Sequence, residues 1–362
     1  MDPIAVAVVV GIVLLVVACL AVAIAVPLRR SGWRPRARSG GRSGRRSAKR
    51  SGGPTVTVEV TVDEALGDAD LVAARATALE GRWEPAAALI RASTDPEVRF
   101  QRVWVLAKAA AESPGWLAAW RNAEPDDADA LVLQAETDVV RAWVHRGGYS
   151  RVDDVDGFLA KLRVAERRAH QAVVVAPDDP SPRVTRLTLA RGLQLGADEH
   201  EARLASLRAL VPFHRAGLQE ALQFKAAKWF GSREEMFAFA QDVSANAPAG
   251  SAATLMIVAA HLEQDLEEPG EYMSTPEVRA AIAAAEGRWR AGADGPSPID
   301  KPWAHNVLAF AYWLADEPAR AAVHLAETRE HLSDWPWRYR GDAAVAHATA
   351  QQWIEQSQPV SA

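Results

Sequence analysis

Cysteine is almost missing from this chain of 362 residues: the single one, Cys19, lies inside an apolar run. That excludes an intrachain disulfide framework and removes thiolate metal sites from everything downstream. It also fits a reducing compartment. The glycine patterns that cradle nucleotides are missing too. There is no G-x-G-x-x-G, no G-x-S-x-G and no P-loop, and "GGRSGRR" at 40–46 follows no strand. His200 in "DEHEA" begins a zincin-like H-E-x-x-H that fails at Leu204. "DDVDG" at 153–157 suggests a calcium loop, but that register starts at Val152 and ends at Arg163, where acids are required. His324 and His331 stand seven apart and could share a helical face. Two imidazoles without a third ligand make a poor metal site, so both read as surface histidines. Nothing singles out a nucleophile. The sequence therefore predicts no catalytic, cofactor-binding or metal residue and no cofactor. The enzymatic alternative is a site assembled from scattered histidines and acids on separate helices.

Charge is absent from Ile4 to Val26, where only Gly11 and Cys19 interrupt the aliphatic side chains. At about 1.5 Å per residue such a run can cross a hydrocarbon core of roughly 30 Å. A cleaved signal peptide would begin with basic residues and be shorter, whereas Met1-Asp2-Pro3 carries none. "VVAC" at 16–19 is loosely like a lipoprotein box, but seven more apolar residues follow Cys19. Residues 1–28 are thus expected to form an uncleaved transmembrane helix. Acids are absent from the next stretch, "RRSGWRPRARSGGRSGRRSAKR" at 29–50, which holds ten Lys or Arg. Basic flanks stay on the cytoplasmic side. The expectation is a single-pass cell-membrane protein with its N-terminus outside and its C-terminal domain in the cytoplasm. Residues 29–53 have nothing to bury and read as a disordered linker. Arg29, Arg30, Arg34, Arg36 and Arg38 are candidate contacts for anionic lipid headgroups, worth about 1 kcal/mol per basic residue. After residue 50 there are thirty-one bases against forty-five acids, a net charge of −14. Such a surface disfavours nucleic acid and suits a basic protein or peptide partner, the arginine tract itself included.

Strand signals are nearly absent. "TVTVEVTV" at 55–62 alternates with period two and predicts an extended segment over 54–62. From Asp63 the chain reads as successive helices over 63–356, with a short tail at 357–362. Asp95-Pro96, Ser113-Pro114, Ser181-Pro182 and Thr275-Pro276 pair a capping side chain with a first-turn proline. "KWFGSREEMFAFA", beginning at Lys225, reads as a corner. Leu218, Leu222, Ala226 and Trp229 form one apolar stripe, Gly231 suits a left-handed helix end, and Ser232 with Glu235 makes a capping box. Met236, Phe239, Ala240 and Val243 form the next stripe. Glu234 and Glu235 read as first-turn acids and not as a catalytic pair.

Pro177, Pro212 and Pro248 recur at intervals of 35 and 36, and "EGRWEPAAALIRA" (80–92) is echoed by "ADEPARAAVHLAE" (315–327). With Gly81, Trp83 and Ala86 in one unit and Gly231 and Pro248 in another, the chain resembles a divergent tetratricopeptide-repeat (TPR) α-solenoid. Met236 departs from that pattern, standing where the family has Ala, and the units around 125–177 are longer than the repeat. "KWFGSREEMFAFA" is also similar to membrane-anchored actinobacterial proteins of uncharacterised activity. The resemblance implies an all-α superhelix of about seven stacked hairpins and scaffold or adaptor work through a helical-repeat surface. Of thirteen Trp, Trp116 and Trp120 stand four apart and read as core. "WPWRYRG" at 335–341 alternates Trp, Arg and Tyr, so Trp335, Trp337, Arg338 and Tyr339 are the partner-binding candidates. A regulator acting on membranes through the basic linker is the remaining alternative.

Overall fold

The computed structural model describes residues 60–146, 154–292 and 298–357, and the described chain is all-helical. The predicted transmembrane helix, the arginine tract, residues 54–59 and most of the tail lie outside the described residues. Among those described, no helix is long and apolar enough to cross a membrane. Fifteen α-helices follow one another among the described residues. The first five are α1 (Ala69–Leu79), α2 (Glu84–Arg91), α3 (Pro96–Glu112), α4 (Gly115–Ala123) and α5 (Ala128–Arg146). The middle of the chain forms α6 (Val155–Val175), α7 (Ser181–Gly192), α8 (Ala197–Leu210), α9 (Arg215–Lys225) and α10 (Arg233–Asn246). The last five are α11 (Met256–Glu267), α12 (Pro276–Arg290), α13 (Asp300–Leu314), α14 (Pro318–Glu327) and α15 (Ala343–Ser357).

Local chemistry sets many of the boundaries. Asp95 accepts from the amides of Glu97 and Val98, and Pro96 opens α3 as expected. At α7 the cap moves upstream of Ser181. Asp179 Oδ1 takes the Ser181 amide at 2.8 Å, and its other oxygen pairs with Arg99 at 2.6 Å. Arg99 also reaches Asp129 at 2.5 Å, so one guanidinium ties α3, α5 and α7 together. Ser113 and Thr275 make no side-chain cap, since α4 begins one residue later and the Thr275 hydroxyl donates to the Tyr272 carbonyl. Three helices end alike, in a left-handed residue: Gly81 after α1, Gln194 after α7 and Asp316 after α13. In each case the following amide reaches back five residues, Arg82 to Thr77, Leu195 to Ala190 and Glu317 to Tyr312. This six-to-one bond reverses the chain and starts a hairpin. Gly231 works otherwise than predicted. It has no left-handed backbone, and α9 already ends at Lys225. A Cβ there would lie 2.0 Å from the Lys225 carbonyl oxygen. Close backbone approach is what requires glycine at that corner.

The core is alanine-rich and falls into four clusters among the described residues. Trp116 and Trp120 are buried as their spacing predicted, and Trp83 stacks on Trp120 at 5.7 Å. The array then closes on itself. The Asp63 amide donates to the Leu332 carbonyl at 2.8 Å, and Val62 and Leu332 form an isolated parallel bridge. The extended segment predicted over 54–62 thus survives among the described residues as one bridge, with Val60 packed against the C-terminal helices. Leu66 is buried among residues of α11 to α15. Deeper in, α3, α9 and α13 meet at Glu97, Arg215 and Asp300. The Arg215 amide donates to Glu97, and its guanidinium donates to Asp300 at 2.7 Å while lying 5.0 Å over Trp303. Burial, then the neighbouring Glu97, pushes Asp300 up to about 6. Burial also raises Glu97, against the pull of Arg215. These contacts bridge sequence separations of 118 and 85 residues.

Candidate binding groove

The corner after α9 shapes a groove on the outer surface. Ser232 Oγ accepts the Glu235 amide at 3.1 Å, as the capping box predicted, and this fixes where α10 begins. Arg233 and Glu234 then fall in its first turn, with Phe237 one turn later. Met236, Ala240 and Val243 point the other way, into the core. Helix α11 supplies His261. The 3₁₀ turn Tyr272–Ser274 supplies Tyr272, and the start of α12 supplies Thr275, Glu277 and Val278. Together these residues enclose an open groove of about 440 Å³.

Its floor is aromatic. Phe237 meets the His261 ring edge-on at 5.0 Å, and His261 Nδ1 and the Tyr272 hydroxyl share a 2.7 Å hydrogen bond. Burial, then Arg233, lowers His261 to about 4, so it is neutral at pH 7. Burial raises Tyr272, which keeps its proton. The Arg233 guanidinium lies 5.9 Å over Phe237 and 5.8 Å over Tyr272. It also pairs with Glu268 at 3.5 Å, an exposed contact worth about 0–1 kcal/mol. Glu234 and Glu277 are exposed on the rim and carry no ion pair among the described residues. The arrangement suits a ligand with a cationic, flat group: rings below, carboxylates beside.

Two buried polar assemblies lie elsewhere. In one, His214 sits beside Glu97 and Arg215 at the junction of α3, α9 and α13, and burial lowers it to about 4. In the other, His305 and His324 face each other at 3.0 Å between their Nδ1 atoms, and His324 Nε2 contacts Glu286 at 3.1 Å. Burial acts to raise Glu286, but hydrogen bonds from His324, Tyr312 and Arg290 overrule it and hold the carboxyl at about 2. Burial, then His324, takes His305 down to about 3. Neither assembly lines the groove or a second, 400 Å³ hollow beside α1. Among the described residues no group of three or more His, Cys, Asp or Glu could hold a metal ion.

The predicted site residues are dispersed. Trp337 is fully buried, with Nε1 donating to Asn306 Oδ1 at 2.8 Å, so it has no face to offer a partner. Trp335 is half-buried and stacks on Trp303 at 5.6 Å. Tyr339 turns its hydroxyl inward to Glu263. Arg338 alone of the four is exposed, paired with Asp334 at 2.7 Å. The arginines at 29, 30, 34, 36 and 38 lie outside the described residues. His324 and His331, expected at the surface, are buried and half-buried. They do not meet: His331 contacts Asp63 at 3.2 Å. Arg233, Phe237, His261 and Tyr272 were not singled out by their spacing. A usable signal was the loop "EEPGEYMSTPE" at 267–277, which sets acids beside a tyrosine at a chain reversal. No family model, no curated protein and no solved structure matches the chain.

Proposed function

We propose that this protein is a membrane-anchored adaptor, a TPR-like array that holds a basic peptide segment of a partner in the groove between α10, α11 and α12. The single observation behind this reading is the groove itself. It has an aromatic floor under the Arg233 guanidinium, beside two exposed carboxylates that make no ion pair among the described residues. The net charge of −14 after residue 50 draws a basic segment toward it. In this reading residues 4–26 span the cell membrane. The basic flank then holds the helical domain in the cytoplasm, with Arg29, Arg30, Arg34, Arg36 and Arg38 at the headgroups.

Crosslinking in native membranes, followed by mass spectrometry, tests the proposal. Partner peptides should attach around 233–237 and 272–278, and Phe237→Ala should remove them while the helical signal persists. Partner crosslinks that survive Phe237→Ala, or that gather on another face, would overturn it.

A further inference from the structure

The groove needs cations, and this chain carries an unusual supply of them. Residues 29–50 hold nine Arg and one Lys with no acid among them. The groove already shows how it treats a guanidinium, since Arg233 lies over both Phe237 and Tyr272. That residue is exposed, and its one ion pair, with Glu268, is 3.5 Å long. Of the groove's lining residues, Glu234 and Glu277 are acids and Arg233 is the one base, already paired with Glu268. A guanidinium stacks flat on rings and forks onto a carboxylate, which an ammonium cannot do.

Reach is sufficient. The described chain begins at Val60, which packs against the core group containing Val278, and Val278 also lines the groove. The ten residues from Arg50 to Val60 extend at most about 35 Å, and the thirty-one from Arg29 about 100 Å. A domain of this size has a radius of gyration of roughly 19 Å. A segment of the same chain is present at an effective concentration of about a millimolar, so even a weak contact fills the groove.

Resting on the adaptor reading above, we infer that the chain's own arginine tract, residues 29–50, occupies the groove between α10, α11 and α12 when no partner is bound. A partner then enters by displacing the tract, and anionic lipid headgroups compete for the same arginines. The groove's occupancy thereby depends on the membrane surface beside it.

The test uses the full chain in nanodiscs of zwitterionic lipid, with a photo-crosslinking phenylalanine analogue in place of Trp33 inside the tract. Crosslinks are expected on 233–237 and 272–278. Glu234→Lys with Glu277→Lys should cut their yield about fivefold or more. Changing the nine tract arginines to lysine should do the same, although the charge is unchanged. Nanodiscs of anionic lipid should also lower the yield. All these substitutions lie on exposed groove residues or in the tract, and an unchanged thermal melt confirms an intact fold. Crosslinks confined to lipid or to another face, or a yield indifferent to the Glu reversal and to Arg→Lys, would overturn the inference. Crosslinks confined to lipid, together with partner loss in Phe237→Ala, would leave the adaptor standing without self-occupancy. Retention of partner in Phe237→Ala, with Trp33 still crosslinked to the groove, would reject the adaptor and keep the tract in place.

Discussion

Residues 233–237 and 335–341 both set arginine close to an aromatic ring, and they face opposite ways. In the second, each large ring finds a partner inside. Trp337 Nε1 has Asn306, the Tyr339 hydroxyl has Glu263, and Trp335 has the face of Trp303. In the first, Phe237 has no polar end to anchor, and Arg233 rests on the outside of two rings. Buried acceptors anchor Trp337 and Tyr339, whereas Trp116 and Trp289 are buried by packing alone, with no partner for Nε1 among the described residues. The acceptors here, Asn306 on α13 and Glu263 on α11, lie 31 and 76 residues from the rings they receive. The direction a side chain takes is thus set by residues distant in sequence.

Acid should have the largest effect on both regions, because each relies on a neutral histidine. His261 under the groove and His347 against Trp337 are each held down to about 4 by burial. His200 and His214 stand at about 4 and His305 at about 3, for the same first cause. Their folded values lie below the unfolded value of about 6.5, so the unfolded chain takes up protons first. Their contribution to stability is full above that pH and is lost as pH falls toward 4. Glu136 and Asp300, raised to about 7 and about 6 by burial, act oppositely: their contribution is full at low pH and is lost as pH rises. Burial raises Glu97 and Asp265 too, and they act with these two, but the five histidines outweigh the four carboxyls. Denaturant titrations followed by circular dichroism should therefore show stability falling steadily from pH 6.5 to 4. Stability that holds or rises over that range would contradict the assignment.

Removing one aromatic ring from each region should separate the two. Trp337→Ala should cost about 3–5 kcal/mol, as expected for a large ring removed from a closed interior. Phe237→Ala, half-buried at the groove, should cost no more than about 1–2 kcal/mol. Thermal or urea melts of the two variants decide it, and equal losses would mean that the groove floor is structural. Asn306→Ala should follow, at about 2–3 kcal/mol. It strips the acceptor from Trp337 Nε1 and from the Ser333 amide, and the donor from the Pro302 and His331 carbonyls. Arg233→Ala should change the melt by no more than about 0.5–1 kcal/mol, because its ion pair is exposed.

Much of the local structure was legible in the sequence. The Asp95 cap, the Ser232 amide acceptor and the Trp116/Trp120 face all follow from spacings of a few residues. What was not legible is tertiary. Six of the nine histidines are buried, because narrow alanine-lined helices admit a flat ring that stacks, as His200 does on Phe224 at 3.9 Å. Gly231 looked like a left-handed helix end and instead makes room for the Lys225 carbonyl. The closure through Glu97, Arg215 and Asp300 carries no periodic mark, since each of the three looks like an ordinary surface charge until the other two arrive. The groove shared this fate. Its corner was read correctly as a corner, but a corner also exposes whatever its first turn does not bury.

Hydrogen exchange read by mass spectrometry, on the full chain and on a chain lacking residues 29–50, tests the central claim most directly, since one measurement covers both segments. Removal of the tract should speed exchange at 233–237 and 272–278 and leave 335–341 slow in both chains. Unchanged exchange at the groove, or fast exchange across 335–341, would contradict this account.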